Sequence, residues 1–228
     1  MAGYKFWKFE FYEAQVPTKQ YVIINELYFF STSTGVIGTD EISKAGAVAT
    51  SKGFYQAGTT EPKFAIDGNK DTYYESESSP FSSGSTTWLK IQFPSPINPK
   101  KLIIDSTQYP GEQQKRFAIF VSNDDITYKR YIEISRDLFV KVGDRTIAEI
   151  PLNRFISGEL TSEDGVVPGL EALCFLWNEP YSYITKTTPD ANGDYRIGVL
   201  DDLEYMIVHR GANGLKPQID GPIRPKEE

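Results

Sequence analysis

The chain contains one cysteine and one histidine in 228 residues. A single cysteine, Cys174, excludes an intrachain disulfide framework and points to synthesis in a reducing cytoplasm. With Leu173 before it and Phe175 and Leu176 after it, its thiol reads as a buried strand residue, since no histidine base lies near it in sequence. His209 follows the apolar run Tyr205-Met206-Ile207-Val208 and reads as a strand-end residue. No apolar run approaches the roughly 20 residues that cross a bilayer, and Met1-Ala2-Gly3-Tyr4-Lys5-Phe6-Trp7 lacks the charged-then-apolar order of a signal peptide. Membrane insertion is therefore not expected. Excess positive charge is also missing: residues 1–150 carry 17 Lys plus Arg against 18 Asp plus Glu, and residues 151–228 carry 7 against 13. With no cationic footprint, a nucleic-acid partner is not expected either. There is no phosphate-binding glycine loop, and Asp124-Asp125 and Asp201-Asp202 fall in predicted turns, where solvation explains them better than paired-carboxylate chemistry. The chain does not read as an enzyme.

What is present is a succession of short alternating strands punctuated by Gly, Pro, Asn and Ser, the pattern of an all-β protein. Residues 4–12, Tyr-Lys-Phe-Trp-Lys-Phe-Glu-Phe-Tyr, alternate aromatic with polar side chains, and Tyr21 to Phe29 makes a second strand after the turn-rich Gln15-Val16-Pro17-Thr18. A length of 228 residues suits two domains, and the texture changes after Ile150. Pro151 to Phe155 reads as a linker, 156–210 as a second sandwich, and the Gly- and Pro-rich 211–228 as an extended arm. The densest local signal is Ala65-Ile66-Asp67-Gly68-Asn69-Lys70-Asp71-Thr72-Tyr73-Tyr74, followed by Thr87-Trp88-Leu89-Lys90-Ile91-Gln92-Phe93. Asp67-Gly68-Asn69 is turn chemistry, with Gly68 or Asn69 suited to the left-handed conformation.

This segment resembles the discoidin family, that is, the coagulation-factor type C domains and related carbohydrate-binding modules. Their hallmark is an Ala-x-Asp-Gly-(Asn/Asp)-x-x-Thr-x-Trp loop and then a Trp-(Ile/Leu)-x-(Val/Ile)-x-Phe strand. Tyr74 stands where the family has Trp. Phe117-Ala118-Ile119-Phe120-Val121-Ser122-Asn123-Asp124, followed by Tyr128, is similar to the family's later strand and turn. The resemblance covers residues 1–150 and implies an eight-stranded jelly-roll β-sandwich. In ordinary members a strand pair like 4–12 and 21–29 follows the loop, whereas here it precedes it. That permuted order is similar to the discoidin-type modules of tailed-bacteriophage virion proteins.

The resemblance also implies a structural Ca²⁺, held by Glu26 and Asp67, by Thr72, and by the carbonyls of Asn25, Phe64 and Lys70, which together approach the about six or more oxygens calcium takes. Asp67 capping its own turn, with Glu26 a solvated strand residue, is the alternative. In the family, ligands bind at loops at one end of the sandwich, where flat aromatic faces stack on sugar C–H groups. The matching candidates are Tyr55, Tyr73, Phe81, Tyr109 and Arg116, although an aromatic residue in a sandwich is more often core than platform, as expected of Tyr74.

The second part resembles the carboxypeptidase-regulatory-like family, a small seven-stranded sandwich of immunoglobulin or transthyretin type. The matching residues are Gly158, Gly165, Pro168, Ala172 to Leu176 and Thr187 to Ile197, with Asn192-Gly193 as a tight turn between strands. Together these resemblances imply a noncatalytic bacteriophage virion protein of the tail or capsid surface, made in the bacterial cytoplasm. Its expected partners are other virion proteins, copies of itself on the particle, and host-surface polysaccharide. The competing expectation is a purely structural decoration, collar or tail adaptor.

Overall fold

The computed structural model describes residues 3–14, 21–77, 86–108, 113–134, 138–159, 171–176, 179–200, 203–210 and 218–227. It is all-β: apart from one turn of 3₁₀ helix, Pro62–Ala65, every regular element among these residues is a strand. Two compact units divide at Leu152/Asn153. The expected linker therefore shrinks. Pro151 still closes a strand, and Arg154 opens the next.

The first unit holds β1 (Tyr4–Ala14), β2 (Ile23–Ile24), β3 (Glu26–Phe30), β4 (Val48–Ser51), β5 (Tyr74–Glu75), β6 (Thr87–Ile97), β7 (Lys101–Asp105), β8 (Gln114–Ser122), β9 (Lys129–Ile134), β10 (Val140–Val142) and β11 (Arg145–Pro151). Strands β4, β6, β1, β8 and β9 run side by side in that order, each antiparallel to its neighbour. Strands β10, β11, β7 and β3 form the opposing sheet, and β2 pairs with β5. The alternation read in residues 4–12 is the reason β1 is a central strand. Trp7, Phe9 and Phe11 point inward and are buried, while Lys8, Glu10 and Tyr12 take the other face. Phe29 of β3 meets Trp7, Phe9 and Phe93, with ring centroids 5.7, 6.5 and 5.2 Å away. Each such fully buried ring contributes about 1.5–3 kcal/mol by leaving water. This aromatic layer joins the sheets into a β-sandwich.

Strand β3 breaks the alternation, since all five of its residues are buried. The cause is the connection 31–47, which brings Ile37 onto a second apolar cluster of Tyr28, Phe30, Ile103 and Ile147 on the far face of the β3–β7–β11 sheet. Backbone bonds tie the connection down, with the Ile42 N–H donating to the Phe29 carbonyl at 2.7 Å. Gly35 permits the close approach, because a Cβ there would lie 2.6 Å from Cδ1 of Phe30.

The second unit contains β12 (Arg154–Glu159), β13 (Glu171–Leu176), β14 (Glu179–Thr187), β15 (Asp194–Gly198), β16 (Tyr205–Arg210), β17 (Gln218–Ile223) and β18 (Lys226–Glu227). Strands β18, β12 and β15 lie side by side, and β14, β13, β16 and β17 make the other sheet. Ile156, Tyr195 and Ile197 from one group pack with Ala172, Cys174, Tyr205 and Ile207 from the other. Gly158 is needed where it stands, because a side chain there would run into the Tyr195 ring. The expected arm is corrected here. Residues 218–223 pair with β16 and 226–227 pair with β12, so an edge strand's unsatisfied N–H and C=O groups recruit a segment that its composition marks as loop. Asn192-Gly193 does turn, with Gly193 at φ 89°, but β14 pairs with β13 and β15 with β12, so the turn crosses between sheets instead of closing a hairpin. The Asp190 carboxylate holds it by accepting from the Asn192 and Asp194 N–H groups at 2.8 and 3.1 Å.

Candidate functional site

The loop 65–74 follows the 3₁₀ turn and is fastened from within. Gly68 takes φ 80°, the left-handed conformation expected of the Asp-Gly-Asn turn. Asp67 Oδ1 accepts from the Asn69 N–H at 2.9 Å, and its Oδ2 accepts from the Thr72 hydroxyl at 2.8 Å. Tyr74 ends the loop fully buried, as expected of the position where the discoidin pattern has Trp, and its hydroxyl donates to the Gly53 carbonyl at 3.2 Å.

Asn25 and Glu26 do reach this loop. The Asn25 Nδ2 donates to the carbonyls of Lys70 at 2.9 Å and Thr72 at 3.3 Å. Glu26 is wholly buried, and its Oε2 accepts from the Gly68 N–H at 2.7 Å. Its Oε1 accepts from the Lys44 ammonium, which also donates to the Leu27 carbonyl at 3.1 Å and lies 4.9 Å from the centre of the Tyr28 ring. Burial pushes the Glu26 carboxyl up from the ordinary carboxylate range, and Lys44 and the Gly68 amide draw it back. The juxtaposition expected from the sequence is thus real, but its oxygens do not fit a calcium ion as they stand. Glu26, Asp67 and the Lys70 carbonyl already accept from N–H or O–H partners, the Thr72 hydroxyl is turned to Asp67 as a donor, and a second cation beside Lys44 would meet like charge. Phe64 contributes to the short helical turn, where its N–H donates to the Glu61 carbonyl at 3.1 Å.

Of the ligand-binding candidates, Tyr55 is exposed and meets Tyr21 edge-to-face with centroids 5.7 Å apart. Phe54 beside it is exposed as well. The three rings are set by one backbone junction. The Tyr55 N–H donates to the Glu75 carbonyl at 3.0 Å, Phe54 bridges Ser76, and Ser76 exchanges bonds with Val22 next to Tyr21. Tyr73 is half-buried. Arg116 stands on β8, bonded to Glu133 Oε1 at 3.3 Å and over the Tyr12 ring at 5.4 Å, so it serves the outer face of the sheet and not the Tyr21–Tyr55 pair. Phe81 and Tyr109 lie outside the described residues, as do Gly165, Pro168, Asp201 and Asp202. Sequence reading missed Tyr21, because it adjoins the unbroken buried run Val22 to Phe30 and carries no alternation to mark it as outside the core. It missed Lys44 as well, which lies in an irregular connection 18 residues from its partner.

In the second unit Cys174 is buried in β13, and burial pushes its thiol up to about 12. His209 is buried within β16, its ring edge-to-face with Tyr195 at 5.7 Å and its Nε2 3.4 Å from the tyrosine hydroxyl. No protein-family model matches the chain, and no curated protein matches it.

Proposed function

We propose that the protein is a noncatalytic virion component of a tailed bacteriophage, on the tail or capsid surface, whose first unit binds host-surface polysaccharide. The observation that carries this reading is the aromatic group of exposed Phe54 and Tyr55 with half-buried Tyr21 packed edge-on against Tyr55, held by the bonds of Val22 with Ser76 and of Tyr55 with Glu75. Flat rings held on a rigid frame suit stacking against sugar C–H faces at little entropic cost. The discoidin-type pattern of the loop 65–74 supports the same ligand class, and the permuted order of strands supports the viral origin. The buried state of Cys174 and His209 supports a noncatalytic role, since neither presents a nucleophile or base to a substrate. Affinity for one sugar unit is weak in this reading, and repeated copies on the particle supply avidity.

The test is a glycan array probed with the full chain and with Tyr55→Ala. Binding to bacterial polysaccharide that falls about tenfold in the variant, the loss of roughly 1.4 kcal/mol of stacking, supports the reading. A second reading, a structural adaptor, is favoured by β10, an edge strand among the described residues with Val140 and Val142 both exposed, which offers a backbone edge and apolar side chains to a protein partner. Binding to a virion protein with no glycan retained would select it.

A further inference from the structure

We propose that Lys44 is the resident cation of the 65–74 loop, doing with its ammonium what a calcium ion would do there, so that the first unit holds this loop without metal. Glu26 is buried and must be compensated, because a carboxylate out of water without a partner is strongly destabilising. A divalent ion would supply that compensation while gathering carbonyls around itself. In this chain the same tasks are divided among side chains. Lys44 neutralises Glu26 and gathers the Leu27 carbonyl, the Gly68 amide takes the second carboxylate oxygen, and the Asn25 amide gathers the carbonyls of Lys70 and Thr72.

The ammonium is not a surface group that swings in by chance. Its side chain is 13% exposed, it lies 4.9 Å from the Tyr28 ring centre, and its connection is anchored nearby, with the Ala47 N–H donating to the Lys44 carbonyl at 2.9 Å. A monovalent ammonium with three donors suits a site where one carboxylate oxygen and one carbonyl point at a single position. Lys44 holds the loop in this way whether or not the first unit binds sugar.

Thermal melts of the full chain in EDTA and in saturating calcium chloride test it. A ligand that binds only the folded state raises its melting temperature, so the wild-type chain is expected to melt at the same temperature in both. A rise of several degrees with calcium overturns the proposal. Lys44→Ala leaves Glu26 uncompensated and makes room beside it, and is expected to melt about 10 °C lower in EDTA. Calcium should return a large part of that loss. A K44A melt equal to wild type, or one that calcium does not raise, overturns the proposal. If K44A does not fold, E26Q/K44A, which removes both charges, is expected to restore folding, and its failure to do so counts against the assignment.

Discussion

Two buried carboxylates face each other across neighbouring strands: Glu26 of β3 is the direct partner of Asp105 of β7. Residues so paired share one face of the sheet, so two anions at this spacing repel unless each has its own cation. Asp105 finds its cation inside the sheet, accepting from Arg145 of β11 at 2.7 Å and from Thr107, two residues along, at 2.5 Å. Glu26 finds its partners outside the sheet, Lys44 from the connection 31–47 and Gly68 from the loop 65–74. Tyr28 sits with both, its hydroxyl accepting from Arg145 at 2.8 Å and its ring near Lys44. The chemistry is alike and the reach is different. One pair fastens strand to strand, while the other fastens two loops to a strand.

The largest effect is expected at the Asp105 pole. Arg145→Met leaves Asp105 buried without its cation and the Tyr28 hydroxyl without its donor, and should cost about 3–5 kcal/mol in denaturant unfolding of the full chain. Because the loss lies within the sheet, calcium should not recover it, and recovery by calcium would erase the contrast with Lys44. A smaller effect is expected from Gly35→Val. Its side chain must displace Phe30 under the connection that carries Lys44, at a cost of about 1–3 kcal/mol by the same assay. The smallest concerns a carboxylate held by neither kind of cation. Asp124 is exposed, and the N–H groups of Ile126 and Thr127 together with the Ser122 hydroxyl hold it down at about 2. A carboxyl depressed on folding stabilises above its unfolded value, near 4, and that contribution disappears as pH falls from about 4 to about 2. Melting temperatures recorded across this window should fall less steeply for Asp124→Asn than for wild type. An unchanged slope would show that the turn's N–H groups do not discriminate between the carboxyl's two protonation states.

Much of the first unit was legible because its signals are local. Period-two alternation marks β1 and β6, and the Asp-Gly-Asn turn needs only Gly68 to supply a positive φ. The meeting of Asn25 and Glu26 with that turn was legible through the resemblance, which carries long-range information that spacing alone does not. What escaped was set by tertiary pairing. Lys44 belongs to an irregular connection whose sequence gives no hint that it crosses a sheet, so the ammonium that defines the site could not be placed. Residues 218–223 become a strand because β16 offers an unfilled edge, overriding a composition that reads as loop. The placing of Tyr21 against Tyr55 depends likewise on the bonds of its neighbour Val22 with Ser76, 54 residues away in the chain.

The burial of Cys174 has a practical side. A thiol inside β13 whose ionisation lies near 12 is silent towards alkylating and maleimide reagents at neutral pH, and the 228 residues hold no other. A cysteine introduced in place of Tyr55 or Ile126, both exposed, would then be the sole reactive sulfur. The native chain is thus ready for single-position fluorophores or spin labels without any prior removal of cysteine, and contacts such as that of Lys44 with Glu26 can be followed in the protein that carries them.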